Sequence, residues 1–587
     1  MGWNWVRIKY INEYKKTGIG LHKFTDSVDN QEYIYSQFAI YNAHKVFPCF
    51  DQPDLKARMW LIMITSLHNV NISNSLEELE ADYSNNRKFC DELLQGKDIL
   101  YVPELFPEGF KVSKFSIDQI MSTYLFCIIS GPFEMFSREA DIPGRDSKLK
   151  LRYLWRSSLK IKLENIYNEI HEVTLTGIHW YTQFFGIPFV WDKYDQIFCP
   201  EFKFGAMENA GAVTLSETNI PSEEPTEAEL TTLLNVVLHE LCHMWFGNLC
   251  TMKWWNDLWL NEAFATYMAY LCNEQNENLQ WKTPGLWVAF NKGKQSAINI
   301  DTLSNTHPIV KETPHTDSAE DLLNSITYGK GPGFLKQLVH VIGKDLLSNS
   351  CKLYFKKYKW QNTTLEDFIG CLVDAWNENF CLQDIDIRKF WIDFLYSKGV
   401  NSVQTSITSS EDGVQIFFTQ SQGNHSSKIN NQKMDYLIVT KSIDNTFENN
   451  KNQYTLDSFS VMLPDNNHFL IINHPGYVAD EIFIIPNAND QAYIQTIPDD
   501  RLINELPQGL LTQIPNPVDR MIIWRGLISL TSKTVMTPSF LFKIITLFFP
   551  EEENVMIINS LYSTFYSCAM WYLPTEKYQG VWSNIFK

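Results

Sequence analysis

Short and long hydrophobic periods alternate in blocks along the chain. Up to about residue 146, brief β-branched and aromatic runs separated by polar turns predict strands, among them 33–38, 59–65 and 123–129. The stretch 76–98 interrupts them; it is charged and reads as more helical. From about 159 to 398 apolar positions recur at helical spacing, which predicts helices over 161–185, 227–246, 258–273 and 331–343. Thr226 followed three residues later by Glu229 is a capping-box pair, so the second of these helices has a defined start. Strands return between about 400 and 487, at 414–419, 436–440 and 469–472, divided by Asn-, Ser- and Asp-rich turns. After Pro498 the helical period resumes, with Asp499 or Asp500 as its cap. The expected fold is multidomain α+β. It comprises a β domain over 1–146, a largely helical domain over 147–398, a small β-sandwich over 399–496 and helices over 497–587.

Composition narrows the function classes. At about 150 residues per domain, 587 residues predict roughly four domains, too many for one small binding module. Hydrophobic residues make up 44% and aromatics 14%, enough apolar area for packed cores and too much for a disordered or fibrous chain. Lysine plus arginine number 49 against 68 acids, giving 49 − 68 = −19, so no nucleic-acid partner is expected. No run approaches the ~18 to 20 apolar residues that span a bilayer; the nearest, 540–549, carries Lys543 and stops at Pro550. The start, Met-Gly-Trp-Asn-Trp-Val-Arg, lacks the pattern of a secretory signal. Eleven cysteines, none in a CxxC pair, fit free buried thiols. A reducing, cytoplasmic setting is the expectation.

Chemistry concentrates in 233–262. At 100° per residue, His239 and His243 fall within about 40° of each other on a helix, so both imidazoles can reach one metal ion. Glu240 projects about 60° from His243, beside the metal, where a carboxylate can take a proton from water. Two histidines on a partly buried helix would give the same pattern without a metal. An open site needs a third protein ligand. Glu262 is the leading candidate, with eighteen residues between it and His243, near the start of an otherwise apolar helix that Asn256 or Asp257 can cap. A buried ion pair would equally satisfy that glutamate.

These motifs together resemble the zinc aminopeptidases of the aminopeptidase N type, including puromycin-sensitive and bacterial lysyl or alanyl aminopeptidases. The first match is His239-Glu240-Leu241-Cys242-His243 with Glu262, inside a run that continues Met-Trp-Phe-Gly-Asn and later Trp-Leu-Asn-Glu-Ala-Phe-Ala. The second is Gly205-Ala206-Met207-Glu208-Asn209, preceded by Lys193-Tyr194-Asp195-Gln196. The third is Thr327-Tyr328-Gly329-Lys330-Gly331, and Phe47 to Asp54 matches as well. The resemblance implies a thermolysin-like catalytic domain between β domains, closed over by a C-terminal helical domain. Against that family both ends look short, so the N-terminal β domain is expected to be incomplete and 497–587 to be the start of the helical domain. A fragment, a short isoform or an incomplete gene model would account for this, and a targeting sequence upstream would lie outside the chain.

The resemblance also implies roles. One Zn2+ per chain would be held by His239, His243 and Glu262; Glu240 would be general base and then acid; Tyr328 would donate to the tetrahedral oxyanion. Glu208 would bind the α-ammonium of peptides with a free N-terminus. Gly205, Ala206, Met207 and Asn209 would lie along the substrate backbone. Where the family has a second acid in a Thr-Gln-x-Glu segment, this chain reads Ser36-Gln37-Phe38-Ala39, leaving Gln37 as a neutral acceptor. Cys242 reads as a rim thiol or a small core residue, and Asp257 as the support of a ligand histidine or a helix cap. The glycines 329, 331 and 333 are not read as a phosphate loop. The leading expectation is a zinc aminopeptidase acting on short peptides. One alternative is a weak or silent family fragment with a binding or regulatory role. Another is a leukotriene hydrolase-like enzyme, disfavoured because that branch has Gly-Gly-Met-Glu-Asn where this chain has Ala206.

Overall fold

The computed structural model describes residues 4–88, 90, 106, 108–280, 282–379, 386–443, 452–465 and 469–572. They form two compact units. The first holds Met1–Leu279, Glu312–Leu322 and Asp345–Cys381; the second holds Gln280–Lys311, Leu323–Lys344 and Leu382–Lys587.

Among the described residues, three larger sheets and the short parallel pair Thr251–Met252 with Asn362–Thr363 build the first unit's β part. A four-stranded sheet runs Gly20–Thr25, Glu32–Gln37, Ile129–Gly131, Val70–Ile72, and a three-stranded one runs Ala57–Ser66, Phe110–Met121, Glu77–Asp82. The strands expected at 33–38 and 59–65 are therefore present. The segment 123–129 differs: Thr123–Leu125 is a 3-10 turn with all three residues buried, and the strand begins only at Ile129. The segment 76–98 differs in its first part, since Glu77–Asp82 is an edge strand, whereas residues 87, 88 and 90 are helical as expected; residues 89 and 91–98 lie outside the described ones. On the outer face of that strand, Glu78 and Glu80 meet Lys114 and Lys111 of the neighbouring strand at 2.8 and 3.0 Å.

The five-stranded sheet runs Ala206–Met207, Ala212–Ser216, Lys193–Cys199, Leu149–Arg156, Phe133–Ala140. Residue 146 lies in the connection of the hairpin formed by its last two strands. Helices Lys160–Phe185, Glu227–His243 and Leu258–Glu274 belong to the same unit. Leu258–Glu274 is buried on nearly every face, so its sequence is apolar all round instead of striped.

In the second unit, the sheet Phe469–Pro475, Gly413–Gln422, Asn401–Ser409, Ile494–Ile497 shares a core with the sheet Asn452–Leu463, Gln432–Ile443, Ile482–Ala488. Val403, Ile416, Phe418, Tyr436, Ile438 and Ile484 fill it, giving the expected β-sandwich. Helices Asp500–Glu505, Pro517–Ser532, Pro538–Phe548 and Val555–Tyr572 follow and pack on a second core with Leu437, Val439 and Phe483 from the outer face of one sheet. Asp499 caps the first of them, accepting from the Leu502 N–H at 2.8 Å. No disulfide joins the described cysteines, and no described helix is long and apolar enough to cross a membrane.

Candidate metal centre

The helix Glu227–His243 starts where its capping box places it: Thr226 Oγ1 accepts from the Glu229 N–H at 3.3 Å, and Glu229 returns a carboxylate oxygen to the Thr226 N–H at 2.9 Å. Its apolar positions Leu233, Leu234, Val237, Leu238 and Leu241 are buried, which fixes the rotation of the helix and thereby the direction of the intervening polar positions. His239 and His243 lie one turn apart with Nε2 atoms 3.0 Å from each other. Glu262 Oε2, from Leu258–Glu274, is 3.4 Å from His239 Nε2 and 3.5 Å from His243 Nε2.

The remaining ring nitrogens are held from behind. His243 Nδ1 donates to the Phe246 carbonyl at 2.9 Å, so in the neutral ring, the form that binds a metal, the Nε2 lone pair faces inward. His239 Nδ1 is 3.3 Å from the Thr266 hydroxyl. Asp257 supports neither histidine and does not cap with its side chain; its Oδ2 accepts from the Leu365 N–H at 3.2 Å, and burial raises its carboxyl to about 6. Gly247 has φ +115°, and a Cβ there would lie 3.3 Å from His243 Nδ1, so glycine is needed behind the ligand.

The field of the site calls for a cation. Burial opposes charge on His243, yet Glu208, Glu262 and Glu240 outweigh it and raise the imidazole to about 10. Burial likewise opposes ionisation of Glu262, but His243 and His239 hold it well below the usual carboxylate range. His239 moves the other way, lowered chiefly by burial. Burial pushes Glu240 well above the ordinary carboxylate range, with Glu208 and Glu262 adding to it against His243. Two nitrogen donors and a carboxylate with converging lone pairs in a negative field match the chemistry of an open zinc site. Glu240 lies alongside this set, 6% exposed, and its Oε2 has no hydrogen-bond partner among the described residues.

The Gly205–Asn209 motif is joined to the same helix end. Ala206–Met207 forms the edge strand of the five-stranded sheet, pairing Ala206 with Leu215 and Met207 with Thr214, so its other edge has no strand on it among the described residues. Asn248 Nδ2 donates to the Glu208 carbonyl at 2.8 Å, tying the run after His243 to this motif. Lys193 Nζ donates to the Gly211 carbonyl at 2.9 Å and contacts Asp195, which Arg152 also grips through two bonds of 2.7 Å. Those buried charges explain the Lys-Tyr-Asp-Gln segment as a brace for the loop after the motif. The Glu208 side chain is buried, and that burial raises its carboxyl. Gly205 gives its carbonyl to the Ser216 N–H, and Asn209 bonds within the loop to Ala212 and Thr214.

Gln37 ends the strand Glu32–Gln37, fully buried, with an Oε1 that has no partner among the described residues and no hydrogen bond to Glu208. Ala39, two residues on, is half-buried. Cys242 is fully buried, which makes it a core residue and not a rim thiol. Tyr328 belongs to the second unit. It sits in a single π turn, Ile326–Lys330, and is 37% exposed. Lys330 anchors that turn from a buried position, 2.8 Å from Asp301 and within 2.9 and 3.1 Å of the Ser397 and Gly399 carbonyls. Gly329 packs so closely on Leu286–Asp301 that a Cβ would meet the Gly293 carbonyl at 2.6 Å. The Tyr-x-Lys-Gly spacing is thus a turn that needs glycine and a buried lysine to present a tyrosine.

The sequence reading did not single out Tyr124. Its ring is 2% exposed and packs edge-on against Trp255 at 5.5 Å, and its hydroxyl has no hydrogen-bond partner among the described residues. Burial, with Glu208 and Glu262 close enough to add to it, pushes its phenol well above the ordinary range. Nothing local marks this residue, because the carboxylates it faces come from distant segments.

Comparison with known proteins adds to the geometry. Residues 170–394 match the model of the peptidase family M1 domain, and residues 5–92 that of the peptidase M1 N-terminal domain. An aminopeptidase N of Streptomyces lividans is 34% identical over 70% of this chain and 44% of its own length. A probable aminopeptidase 2 of Sulfurisphaera tokodaii is 28% identical over 74% of this chain and 51% of its own, and a leucyl aminopeptidase of Saccharolobus solfataricus 29% identical over 68% and 45%. The chain spans about half the length of the curated relatives it matches.

Proposed function

Because this chain belongs to peptidase family M1, we propose that it is a zinc-dependent aminopeptidase that removes the first residue from short peptides. The observation that carries this reading is the convergence of His239, His243 and Glu262 beside a buried glutamate with an unpartnered oxygen. His239, His243 and Glu262 would hold zinc, which would supply a Lewis acid and bring the pKa of water toward ~7. Glu240 takes the proton of the attacking water and delivers it to the amine nitrogen as the C–N bond breaks. Glu208 is assigned the α-ammonium of the substrate, with Gln37 as a neutral acceptor. The open edge of Ala206–Met207 suits an extended peptide backbone, and we assign Gly205, Ala206 and Met207 to it, with Asn209 holding the loop from within. One assay tests the reading: zinc content together with hydrolysis of aminoacyl-amides across a panel of first residues. Equal cleavage of N-acetylated peptides would overturn the exopeptidase assignment.

Tyr328 is assigned the oxyanion donor on the strength of its motif. Tyr328→Phe is expected to lower kcat by about 10²- to 10³-fold with KM little changed, since the hydroxyl serves charge that develops in the transition state. A raised KM with unchanged kcat would make it a substrate-binding residue instead.

By the resemblance, Ala39 takes the place of a second acid, so we assign the amine one carboxylate fewer. Charged hydrogen bonds contribute roughly 1.5 to 3 kcal/mol, so Ala39→Glu is expected to raise kcat/KM on free-N-terminus peptides about ten- to a hundredfold and to leave N-acetylated peptides uncleaved. If Ala39→Glu changes nothing while Glu208→Ala abolishes exopeptidase activity, Ala39 does not face the amine.

A further inference from the structure

Within the second unit, the helix Pro517–Ser532 buries Met521, Ile522 and Trp524 on its core faces. Its remaining face carries Arg525, Ser529 and Ser532 at i, i+4 and i+7, all lining a cavity of about 630 Å3. That volume is in the range of small-molecule sites, about 300–1,000 Å3. Strands of the β-sandwich supply other walls, including Ser402 and Gln495. Hydroxyls, amides and two cations dominate the lining, and no aspartate or glutamate is part of it.

Arg525 is the unusual member. Its Nε is buried without a hydrogen-bond partner among the described residues, and no carboxylate pairs with its guanidinium. Burial lowers its pKa against the pull of Asp490. Asp490 is itself committed: its carboxylate contacts Lys294, buried to the same degree, whose Nζ also donates to the Ala492 carbonyl at 2.8 Å. Asp490 shares a neighbouring pocket with Arg525 and attracts it without bonding to it, so Arg525 has no direct carboxylate partner among the described residues. A second cation is held in place nearby. Lys533 Nζ donates to Gln495 Oε1 at 2.7 Å, and Gln495 Nε2 donates to Ser529 Oγ at 2.7 Å, so one side chain orients both a cation and a hydroxyl toward the cavity.

We propose that this cavity binds the anionic group, carboxylate or phosphate, of a small polar molecule, with Arg525 as the principal contact and Lys533 and Ser529 completing the site. A planar guanidinium with unused N–H groups offers two parallel donors to either oxyanion, and the neutral amides and hydroxyls around it suit the rest of a hydrophilic ligand. The site lies wholly in the second unit and does not depend on the peptidase reading.

The test is calorimetric titration of the full chain with inorganic phosphate and, separately, with succinate at constant ionic strength. Saturable binding of one anion per chain is expected in at least one arm, and the stronger arm identifies the oxyanion. Arg525→Gln should weaken it about ten- to a hundredfold, the loss of a charge-assisted bidentate contact. Lys533→Gln should weaken it less, and its rim position leaves the fold intact should Arg525→Gln fail to fold. Binding that neither variant changes would put the anion elsewhere, at the metal centre for instance, and overturn the proposal. No saturable binding of either anion up to about 10 mM would overturn it as well.

Discussion

Glu240→Gln is expected to abolish useful turnover while leaving zinc in place. The amide has the size of the carboxylate and keeps one acceptor oxygen, so the packing around a residue only 6% exposed is preserved. His239, His243 and Glu262 are untouched. What disappears is the oxygen without a partner, the atom able to receive a proton from water beside the three ligands. General acid–base groups contribute typically about 10²- to 10⁴-fold, and kcat is expected to fall by that much with KM nearly unchanged. Metal analysis of the variant should return about one zinc per chain, because His239, His243 and Glu262 are unchanged. Turnover within about tenfold of the parent would remove Glu240 from the base role.

How much of this was legible in the sequence depends on how local each signal is. The helix bearing His239 and His243 was readable to its first residue, since a capping box and a 3.6-residue period are both short-range features. Glu262 was readable as a candidate only: its spacing from His243 says nothing of the contact until Leu258–Glu274 is packed beside Glu227–His243. Two misreadings have the same origin. Thr123, Tyr124 and Leu125 look like strand residues because all three are apolar or β-branched, yet they are buried on a turn with no partner strand. Glu77–Asp82 looks helical by its acids, yet Glu78 and Glu80 lie on the outer face of an edge strand paired with lysines more than thirty residues away, and Glu77 pairs with Arg152. Asp257 was expected to serve a histidine or its own helix and instead bonds the Leu365 backbone, 108 residues on. The Tyr-x-Lys-Gly motif was legible as a string, but the reasons for its lysine and glycine are Asp301 and the backbone of Gly293, which no window around Tyr328 contains.

Glu262→Ala is expected to cost the protein its metal, and its activity follows from that. Two neutral imidazoles from one helix would remain, both with lone pairs directed at the same point, but the only anionic ligand, and the only one drawn from a second helix, would be gone. Groups that merely support ligands typically change metal affinity by about 10- to 100-fold, so removing a ligand should exceed about 100-fold. Dialysis against a chelator that buffers free zinc should therefore leave the parent loaded and the variant empty, and aminoacyl-amide hydrolysis should fall with zinc content. Stability gives an independent check. A ligand present at about a thousand times its Kd adds about 4 kcal/mol to folding, so the parent stripped by a strong chelator should melt at a lower temperature than the loaded parent. Glu262→Ala should melt near the stripped parent and be insensitive to the chelator. Full zinc occupancy in the variant, or a chelator-induced drop equal to the parent's, would show that Glu262 is half of a buried ion pair with the histidines and not a metal ligand.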